Sequence, residues 1–334
     1  MKVKARVLHG FDDTSFGAVQ WQALLQQGPT DEVFLTWQWQ RAWWESLGKG
    51  KLLLVLAERD GKPVALAPLY AASQMIFFVG SNAADYLDFI GNISEPEVLD
   101  ALLETARECA SDSLGFHFYK VLESSPTAGL LQEAAPRLGL TCLEKKTWPA
   151  PGLDLASRPE IGKAAAGKQS LLRHERYFRC QGSLEVRHLS DGDAIRPHLR
   201  EFFEQHISRW ANTRYPSKFL DPAWRDFYET LTRTATHTGW LRFTRVEWDG
   251  RAIALHYGFC YGGSYLWYTP AFAVELARRS PGEVLLRQLL LAAMGEGAAI
   301  FDFGLGDEPF KRRFATCVRH VRSWGLYSSE GARQ

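Results

Sequence analysis

One segment occurs twice in this chain of 334 residues, without gaps and at an offset of 189. The first copy, ERDGKPVALAPLY (58–70), and the second, EWDGRAIALHYGF (247–259), share Glu, Asp-Gly and Ala-Leu. Alternating apolar segments flank each Asp-Gly pair, and Asp-Gly tolerates the positive φ angles of a type I′ turn. Each copy therefore predicts a β-hairpin.

The order of predicted elements around the two hairpins also repeats. Aromatic-rich helical segments precede each hairpin, TWQWQRAWWESLG in the first half and FFEQHISRWANT with AWRDFYETLTRTA in the second. A strand, a helix with an N-terminal cap and a short strand follow each hairpin. The order strand–helix–helix–hairpin–strand–helix–strand thus occurs twice, which favours an internal duplication of a mixed α/β unit.

The segment between the halves, TWPAPGLDLASRPE, is rich in Pro and Gly and predicts a connection. We predict an N-terminal domain at 1–157, a connecting basic helix at 158–182 and a C-terminal domain at 183–334. From Lys163 to Arg179 the predicted helix has five Lys or Arg and one Glu, a local charge of +4. This charge indicates either a solvated helix face or a surface for a phosphate-bearing ligand, such as a nucleotide or tRNA.

Composition is that of a soluble globular protein, with 46% hydrophobic and 23% charged residues. A net charge of +1 gives no overall field that would attract DNA or an anionic membrane. The N-terminus lacks a signal-peptide pattern, and no apolar run approaches the ~18 residues of a membrane span, so a cytoplasmic protein is expected. Five scattered cysteines and nine histidines show no metal-ligand spacing, so no metal is expected.

The sequence SPGE at 280–283 predicts the start of a helix. Ser280 as N-cap, Pro281 at N1 and Glu283 at N3 predict a capping box, and Gly282 would let a ligand approach the first turn. Such an N-terminus attracts anions, although a purely structural cap is the alternative. The equivalent first-half segment, 92–97, has neither Arg nor Gly, so we expect any donor site in the second half.

The stretch FDFGLGDEPFKRRFA at 301–315 begins as a buried strand and breaks at Gly304 and Gly306. These glycines would permit the strand end to turn away from its neighbour. Asp302 lies inside the strand, where an unpaired carboxylate would be costly, so it needs a partner. The candidate partners are the basic residues that follow: Lys311, Arg312 and Arg313.

With these segments the whole chain resembles a tandem GNAT-type acyltransferase. FLTWQWQRAWW, VALAPLY, SPGEVLL and DFGLGDEPFKRRFA carry the resemblance, the last two most specifically. It is most similar to the CelD-type acetyltransferase-like family, named for a link to cellulose biosynthesis. The Fem peptidyltransferases, which build peptidoglycan cross-bridges, are more distant. The resemblance implies two GNAT-like units and acyl transfer.

The resemblance also implies roles for individual residues. GNAT enzymes hold the coenzyme A pyrophosphate at a turn with the pattern Q/R-x-x-G-x-G/A, and here Arg279 and Gly282 match while Val284 departs from it. We therefore expect a cofactor-binding set of Arg279, Ser280, Gly282, Gly304 and Gly306. Phe310-Lys311 matches a Phe-Lys pair of the Fem enzymes, which implies that Lys311 stabilises the anionic tetrahedral intermediate.

The second strand of the second hairpin would line the acyl site of a GNAT fold. His256 or Tyr257 in that strand could act as general acid or base, although a hydrogen-bonded structural histidine is the alternative. The expected catalytic residues are Lys311, His256, Tyr257 and Asp302. The expected substrate-binding residues are Phe310, Tyr268 and Trp210.

The sequence thus predicts an N-acyltransferase that uses acyl-CoA, acetyl-CoA above all, as donor and no metal. The expected acceptor is an amine of a sugar, polysaccharide precursor or peptidic metabolite. One alternative is an aminoacyl-tRNA-dependent transferase of the Fem type, for which the basic helix is the argument. The other is a non-catalytic binding module that retains the duplicated fold.

Overall fold

The structure is a computed structural model that describes residues 3–328. The strands are β1 (Val3–Val7), β2 (Lys51–Arg59), β3 (Lys62–Ala72), β4 (Met75–Phe78), β5 (Ile90–Gly91), β6 (Gly115–Leu122), β7 (Thr141–Asp154), β8 (Leu184–Leu189), β9 (Leu241–Trp248), β10 (Arg251–Tyr261), β11 (Ser264–Phe272), β12 (Ile300–Asp302) and β13 (Cys317–Tyr327). The α-helices are α1 (Ala18–Leu25), α2 (Trp37–Leu47), α3 (Pro96–Cys109), α4 (Thr127–Arg137), α5 (Pro159–Ala166), α6 (Gln169–Gln181), α7 (Gly192–Ile195), α8 (Leu199–Trp210), α9 (Pro222–Thr234), α10 (Pro281–Gly295) and α11 (Pro309–Phe314).

The chain divides into two compact units, the first at 1–149 with 319–334 and the second at 150–318. In unit 1 the strand order is β1-β2-β3-β4-β6-β13. Neighbours are antiparallel except β4 and β6, which run parallel. Helix α3 packs against β1, β2 and β3 of this sheet.

Unit 2 repeats this pattern with the strand order β8-β9-β10-β11-β12. Its neighbours are again antiparallel except the last pair, β11 and β12. The final residues of β7 then pair antiparallel with β12. Helix α10, which corresponds to α3 in the element order, packs against β9, β10 and β11. The predicted mixed α/β fold and its duplicated element order are confirmed.

Both predicted hairpin turns are present. Asp60 and Gly61 have φ angles of 50° and 75°, and Asp249 and Gly250 have φ angles of 50° and 77°. Positive φ at both central residues defines the type I′ turn, which matches the twist of the flanking strands. Each Asp-Gly pair therefore sets the strand register of its own unit.

The division into units differs from the predicted domain boundaries. The first unit ends at Pro149 rather than near 157, and the chain from Arg319 onward returns to unit 1. The predicted basic connection at 158–182 consists of two helices of unit 2, α5 and α6, separated at Gly167-Lys168. These helices belong there because they pack on α10: Arg287 of α10 donates to the Ala166 carbonyl at 3.1 Å and pairs with Glu175 at 2.5 Å.

Within residues 3–328, no helix has the length and apolar character needed to cross a membrane.

Candidate functional site

Strands β11 and β12 separate from each other after three paired positions. Ser264–Leu266 pair with Ile300–Asp302, but β11 continues to Phe272 while β12 ends. The chain after Asp302 turns away through Gly304 (φ 68°) and Gly306 (φ 122°), angles that disfavour side chains. The separation that the glycines predict is thus observed.

Aromatic side chains line the separated strands. The ring centroid of Phe310 lies 6.0 Å from that of Trp267 on β11 and 6.3 Å from that of Phe303 after β12. Trp267 and Phe303 are buried, whereas Phe310 is partly exposed. An apolar chain placed between the strands would contact these rings, and the substrate-binding role of Phe310 stays a prediction.

A β-bulge in β11 lies at the point of separation. Tyr257 pairs with Thr269 and Phe259 pairs with Leu266, so Trp267 and Tyr268 together oppose a single residue, Gly258. A side chain at Gly258 would overlap the His256 ring and the Leu266 carbonyl. The bulge therefore depends on glycine, and it turns the Tyr268 amide toward His256 Nε2, to which it donates at 3.2 Å.

His256 and Tyr257 are both fully buried. Burial lowers the pKa of His256 to about 3, and its Nδ1 has no hydrogen-bond partner in the described chain. Tyr257 points to the opposite face, bonds to Thr232 Oγ1 at 3.0 Å and has its pKa raised by burial. A base so weak and a tyrosine so deep argue against the predicted acid–base role. His256 instead holds the bulge.

Helix α10 begins differently from the prediction. Ser280 adopts the left-handed conformation (φ 54°, ψ 55°) and makes no side-chain cap, so the predicted capping box is wrong. The carboxylate of Glu283 pairs instead with Arg313 at 2.8 Å and lies 3.6 Å from His174 Nε2. The charged guanidinium of Arg313 holds a carboxylate more strongly than a neutral amide does. Pro281 occupies N1 as predicted.

Basic and aromatic residues from three segments surround this helix start. The Arg279 guanidinium lies 4.3 Å from the ring centroid of Tyr177 on α6. His174 belongs to the same helix, and Arg313 comes from α11. Because the dipole of α10 adds positive potential at its N-terminus, this rim suits an anion, with Glu283 as the opposing charge. The predicted basic helix therefore lies beside the predicted turn at Gly282.

The surroundings of Gly282 leave room for a side-chain atom. A Cβ there would meet only the Phe272 ring, at 3.4 Å. The guanidinium of Arg209 lies over the same ring at 4.4 Å and donates to the Pro270 carbonyl at 3.0 Å. Burial lowers the pKa of Arg209. Sequence reasoning missed Arg209, whose one signal was its position beside Trp210 at the end of an aromatic helix.

Lys311 is almost fully buried beneath the turn at Gly304 and Gly306, which we call the glycine turn. Its Nζ donates to the Leu305 carbonyl at 2.6 Å and pairs with Glu308 at 2.9 Å. A Cβ at Gly306 would lie 3.1 Å from this Nζ, so glycine makes room for the ammonium. The ammonium therefore lies directly below the glycine turn. Lys311 belongs to the same helix, α11, as Phe310.

The carboxylate of Asp302 accepts a hydrogen bond from the Gly304 amide at 2.8 Å and is 1% exposed. Lys311 pairs with Glu308, Arg312 with Asp307 and Arg313 with Glu283. The hydrogen bond from the Gly304 amide to Asp302 helps to fix the turn.

Tyr268 and Trp210 lie on the α8 and α9 side of the sheet. Tyr268 is partly exposed, and its ring centroid lies 5.1 Å from Lys218 Nζ. This ammonium bonds to Tyr228 Oη at 2.7 Å, an arrangement that the sequence did not indicate. Trp210 contacts His206 at 6.0 Å between centroids, as packing would predict. The predicted substrate residues thus divide between two faces.

In unit 1 the equivalent strands are β4 and β6, and a segment of unit 1 itself, residues 84–88, lies beside them. The Leu87 amide donates to the Lys120 carbonyl at 3.0 Å, and Lys120 Nζ bonds to the Ala84 carbonyl. Asp88, fully buried, accepts hydrogen bonds of 2.6 Å from three hydroxyls: those of Thr30, Ser125 and Thr127. These hydrogen bonds therefore hold residues 84–88 against β6 and the chain that follows it.

The sequence of unit 2 matches a known family. Residues 165–312 match the family described as acetyltransferase (GNAT) domain. The match covers 148 of the chain's 334 residues. The matched segment contains the β11 bulge, the start of α10 and the glycine turn, and it ends within α11. No curated protein sequence matches the chain significantly.

Solved structures show the same fold across the whole chain. A crystal structure of FemX has a TM-score of 0.67 at 12% identity, covering 96% of this chain and 98% of its own. A tandem GNAT protein from the clavulanic acid biosynthesis pathway has a TM-score of 0.56 at 14% identity, covering 97% and 98%. The C-terminal domain of a protein assigned as lysylphosphatidylglycerol synthetase from Agrobacterium fabrum has a TM-score of 0.57 at 15% identity, covering 87% and 88%. At these identities the likeness concerns the fold.

Proposed function

We propose that the protein is an N-acyltransferase that transfers an acyl group from acyl-CoA, with acetyl-CoA as the first donor to test. One observation carries the proposal: β11 and β12 separate beside the basic start of α10. The acceptor is an amine of a sugar, polysaccharide precursor or peptidic metabolite. The resemblance to the CelD-type family supports this acceptor class, and the acetyltransferase match of residues 165–312 supports the donor.

The donor's charged and apolar parts have different neighbours in this proposal. The diphosphate lies at the start of α10, where Arg279, Arg313 and His174 face it and Gly282 allows close approach. The apolar arm passes between the strands against Trp267, Phe310 and Phe303. The phosphate must compete with Glu283 for Arg313, because the two anions seek the same guanidinium.

The reaction is a direct transfer. The acceptor amine attacks the thioester carbonyl carbon, its nitrogen forms the new C–N bond, and the C–S bond breaks as the thiolate leaves. The amine gives up one proton, and the thiolate takes one. Lys311 lies close below the glycine turn, so its ammonium stabilises the oxyanion electrostatically, while Asp302 and Gly304 hold the turn in place.

Calorimetric titration of CoA and acetyl-CoA into wild type, Gly282→Asp and Gly282→Ala tests the donor site. Because a Cβ at Gly282 has room, both variants should fold, and Ala should bind almost as wild type does. Asp adds a negative charge at the phosphate position and should reduce affinity at least about tenfold. Equal binding by wild type and Gly282→Asp would remove the donor from this helix start.

A second candidate function is aminoacyl-tRNA-dependent transfer, as in the Fem manner. The fold likeness to FemX, the carboxylate of Glu283 at the anion site and the exposed Lys163, Arg173 and Arg176 favour it. It predicts tRNA binding whose affinity falls steeply with salt. Failure to retain tRNA at low salt would exclude this function. If no donor changed the melting temperature of the protein, a non-catalytic binding module would be favoured instead.

A further inference from the structure

Unit 1 presents a row of aromatic residues across its sheet. The strand register places Tyr70 of β3 opposite Phe77 of β4, Phe77 opposite His117 of β6, and His117 opposite Gly325 of β13. Residues in register point to the same face of a sheet, so these side chains form a line perpendicular to the strands.

Further rings lie beside this line. The Trp44 ring lies 6.1 Å from Tyr70, Tyr70 lies 5.4 Å from Phe77, and Tyr119 stacks on His117 at 3.9 Å between centroids. A side chain at Gly325 would overlap the Tyr327 ring, so this ring lies over the glycine. We call this set the aromatic row: Trp44, Tyr70, Phe77, His117, Tyr119 and Tyr327. All six side chains are partly exposed.

The duplicated unit shows that the fold does not require an exposed aromatic row. In unit 2 the same register positions are Phe259, Leu266, Asp302 and Gly152. The first three are almost completely buried, and only one of them is aromatic. Unit 1 therefore differs from its duplicate by exposing planar rings where unit 2 has core residues. Such exposed aromatic patches mark binding surfaces.

The charge of the aromatic row restricts what it binds. Burial and Lys145 lower the pKa of His117, so its ring is neutral at physiological pH. Burial raises the pKa of Tyr70 and of Tyr119, so both hydroxyls stay protonated. The ammonium of Lys145 lies 4.6 Å from the Tyr327 ring. A nearly neutral surface of this kind does not suit a polyanion, which requires several basic contacts.

Saccharides fit this combination of flat rings and hydroxyl groups. One face of a pyranose ring presents C–H groups, which pack on the faces of aromatic rings, while its rim carries hydroxyls. Tyrosine hydroxyls supply hydrogen bonds to such a rim. An uncharged sugar chain also matches the near-neutral charge of the row.

We propose that the aromatic row binds the sugar rings of an oligosaccharide chain. This binding activity belongs to unit 1 and does not depend on the proposed acyl donor of unit 2. Each aromatic ring of the row packs on at most one sugar ring, so measurable affinity requires several successive sugars. A monosaccharide alone binds weakly.

Calorimetric titration with cellopentaose and with the N-acetylglucosamine pentamer tests the proposal on the full chain. Wild type should bind at least one of them, and Phe77→Ala or Tyr119→Ala should each reduce affinity about tenfold or more, because each variant loses a ring on which a sugar would pack. Val19→Ala changes an exposed apolar residue of α1 outside the row and should bind as wild type does. Circular dichroism melts confirm that each variant folds.

Three results would overturn the proposal: no binding of either pentasaccharide at millimolar concentration, equal binding by Phe77→Ala, or tighter binding of a single-stranded RNA pentamer. Titration of acetyl-CoA into the same wild-type sample measures donor binding independently of saccharide binding. Loss of donor binding with retained saccharide binding would contradict the proposed function alone.

Discussion

Glu283 in the first turn of α10 accepts a hydrogen bond from Arg313 of α11 at 2.8 Å. This contact joins the helix that begins beside the separated strands to the helix that follows the glycine turn. It also places a carboxylate where the proposed donor carries its phosphates. Glu283 therefore acts as an internal competitor for the donor's anion.

Glu283→Gln should strengthen acetyl-CoA binding. The substitution removes a negative charge that repels the phosphates, and an interaction between partly exposed charges is worth ~0.2–1 kcal/mol, so affinity should rise by up to about fivefold. Calorimetry of Glu283→Gln beside Glu296→Gln, at the other end of α10, makes the comparison. Weaker binding by Glu283→Gln would show that the carboxylate supports the site.

Lys311→Ala should reduce kcat about a hundredfold or more while the donor KM changes little, as expected for a group that stabilises the developing oxyanion. Arg312→Ala is the control, since Arg312 is exposed and pairs with Asp307. Steady-state kinetics at saturating acetyl-CoA, with melting curves for both variants, measure the effect. A Lys311→Ala enzyme of wild-type kcat would remove this residue from the chemistry.

Gly306→Ala should reduce activity more than Gly239→Ala does. Both glycines have positive φ, 122° and 76°, so both substitutions strain the backbone. Only at Gly306 does a Cβ crowd Lys311 Nζ and the Glu308 carboxylate, because Gly239 has no neighbour within 4 Å. Steady-state kinetics and denaturant unfolding of both variants separate the effect of crowding from that of backbone strain. An equal loss of activity in the two variants would show that strain alone is responsible.

Two buried histidines should make the protein less stable in mild acid. Burial lowers the pKa of His206 and of His256 to about 3, below the ordinary ~6.5 of an unfolded chain. Between these values only the unfolded chain takes up the proton, so stability is fully present above pH ~6.5 and is lost as pH falls. Each histidine should cost about 2 kcal/mol of unfolding free energy between pH 7.5 and pH 5.

Denaturant unfolding at both pH values, on wild type and His256→Gln, checks this dependence. The variant should lose about 2 kcal/mol less than wild type on acidification. The same loss in both proteins would mean that His256 titrates normally in the folded state.

Local sequence signals predicted much of this fold. Asp60-Gly61 and Asp249-Gly250 determine their turns through backbone conformation alone, and Pro281 marks the start of α10 because its fixed φ suits the first helical position. The return of the chain from Arg319 to unit 1 could not be predicted. Strand partners are chosen by long-range pairing, which no local pattern encodes.

The site was harder to predict than the fold. Ser280 and Glu283 have the spacing of a capping box, yet Arg313 competes for the carboxylate from a helix thirty positions away. His256 has the composition of a general base, but its burial, which lowers its pKa, follows only from tertiary packing. The position beside Trp210 was the one local signal for Arg209, and Lys218 gave none, because the roles of both depend on rings contributed by other segments.

The central claim is that unit 2 holds an acyl-CoA at the start of α10. Mass spectrometry of small molecules retained by the purified protein, before and after incubation with acetyl-CoA, tests it most directly. We predict CoA or acyl-CoA in a one-to-one ratio with wild type and its loss in Gly282→Asp. A wild-type protein that carries no CoA species and takes up none from added acetyl-CoA would contradict the account.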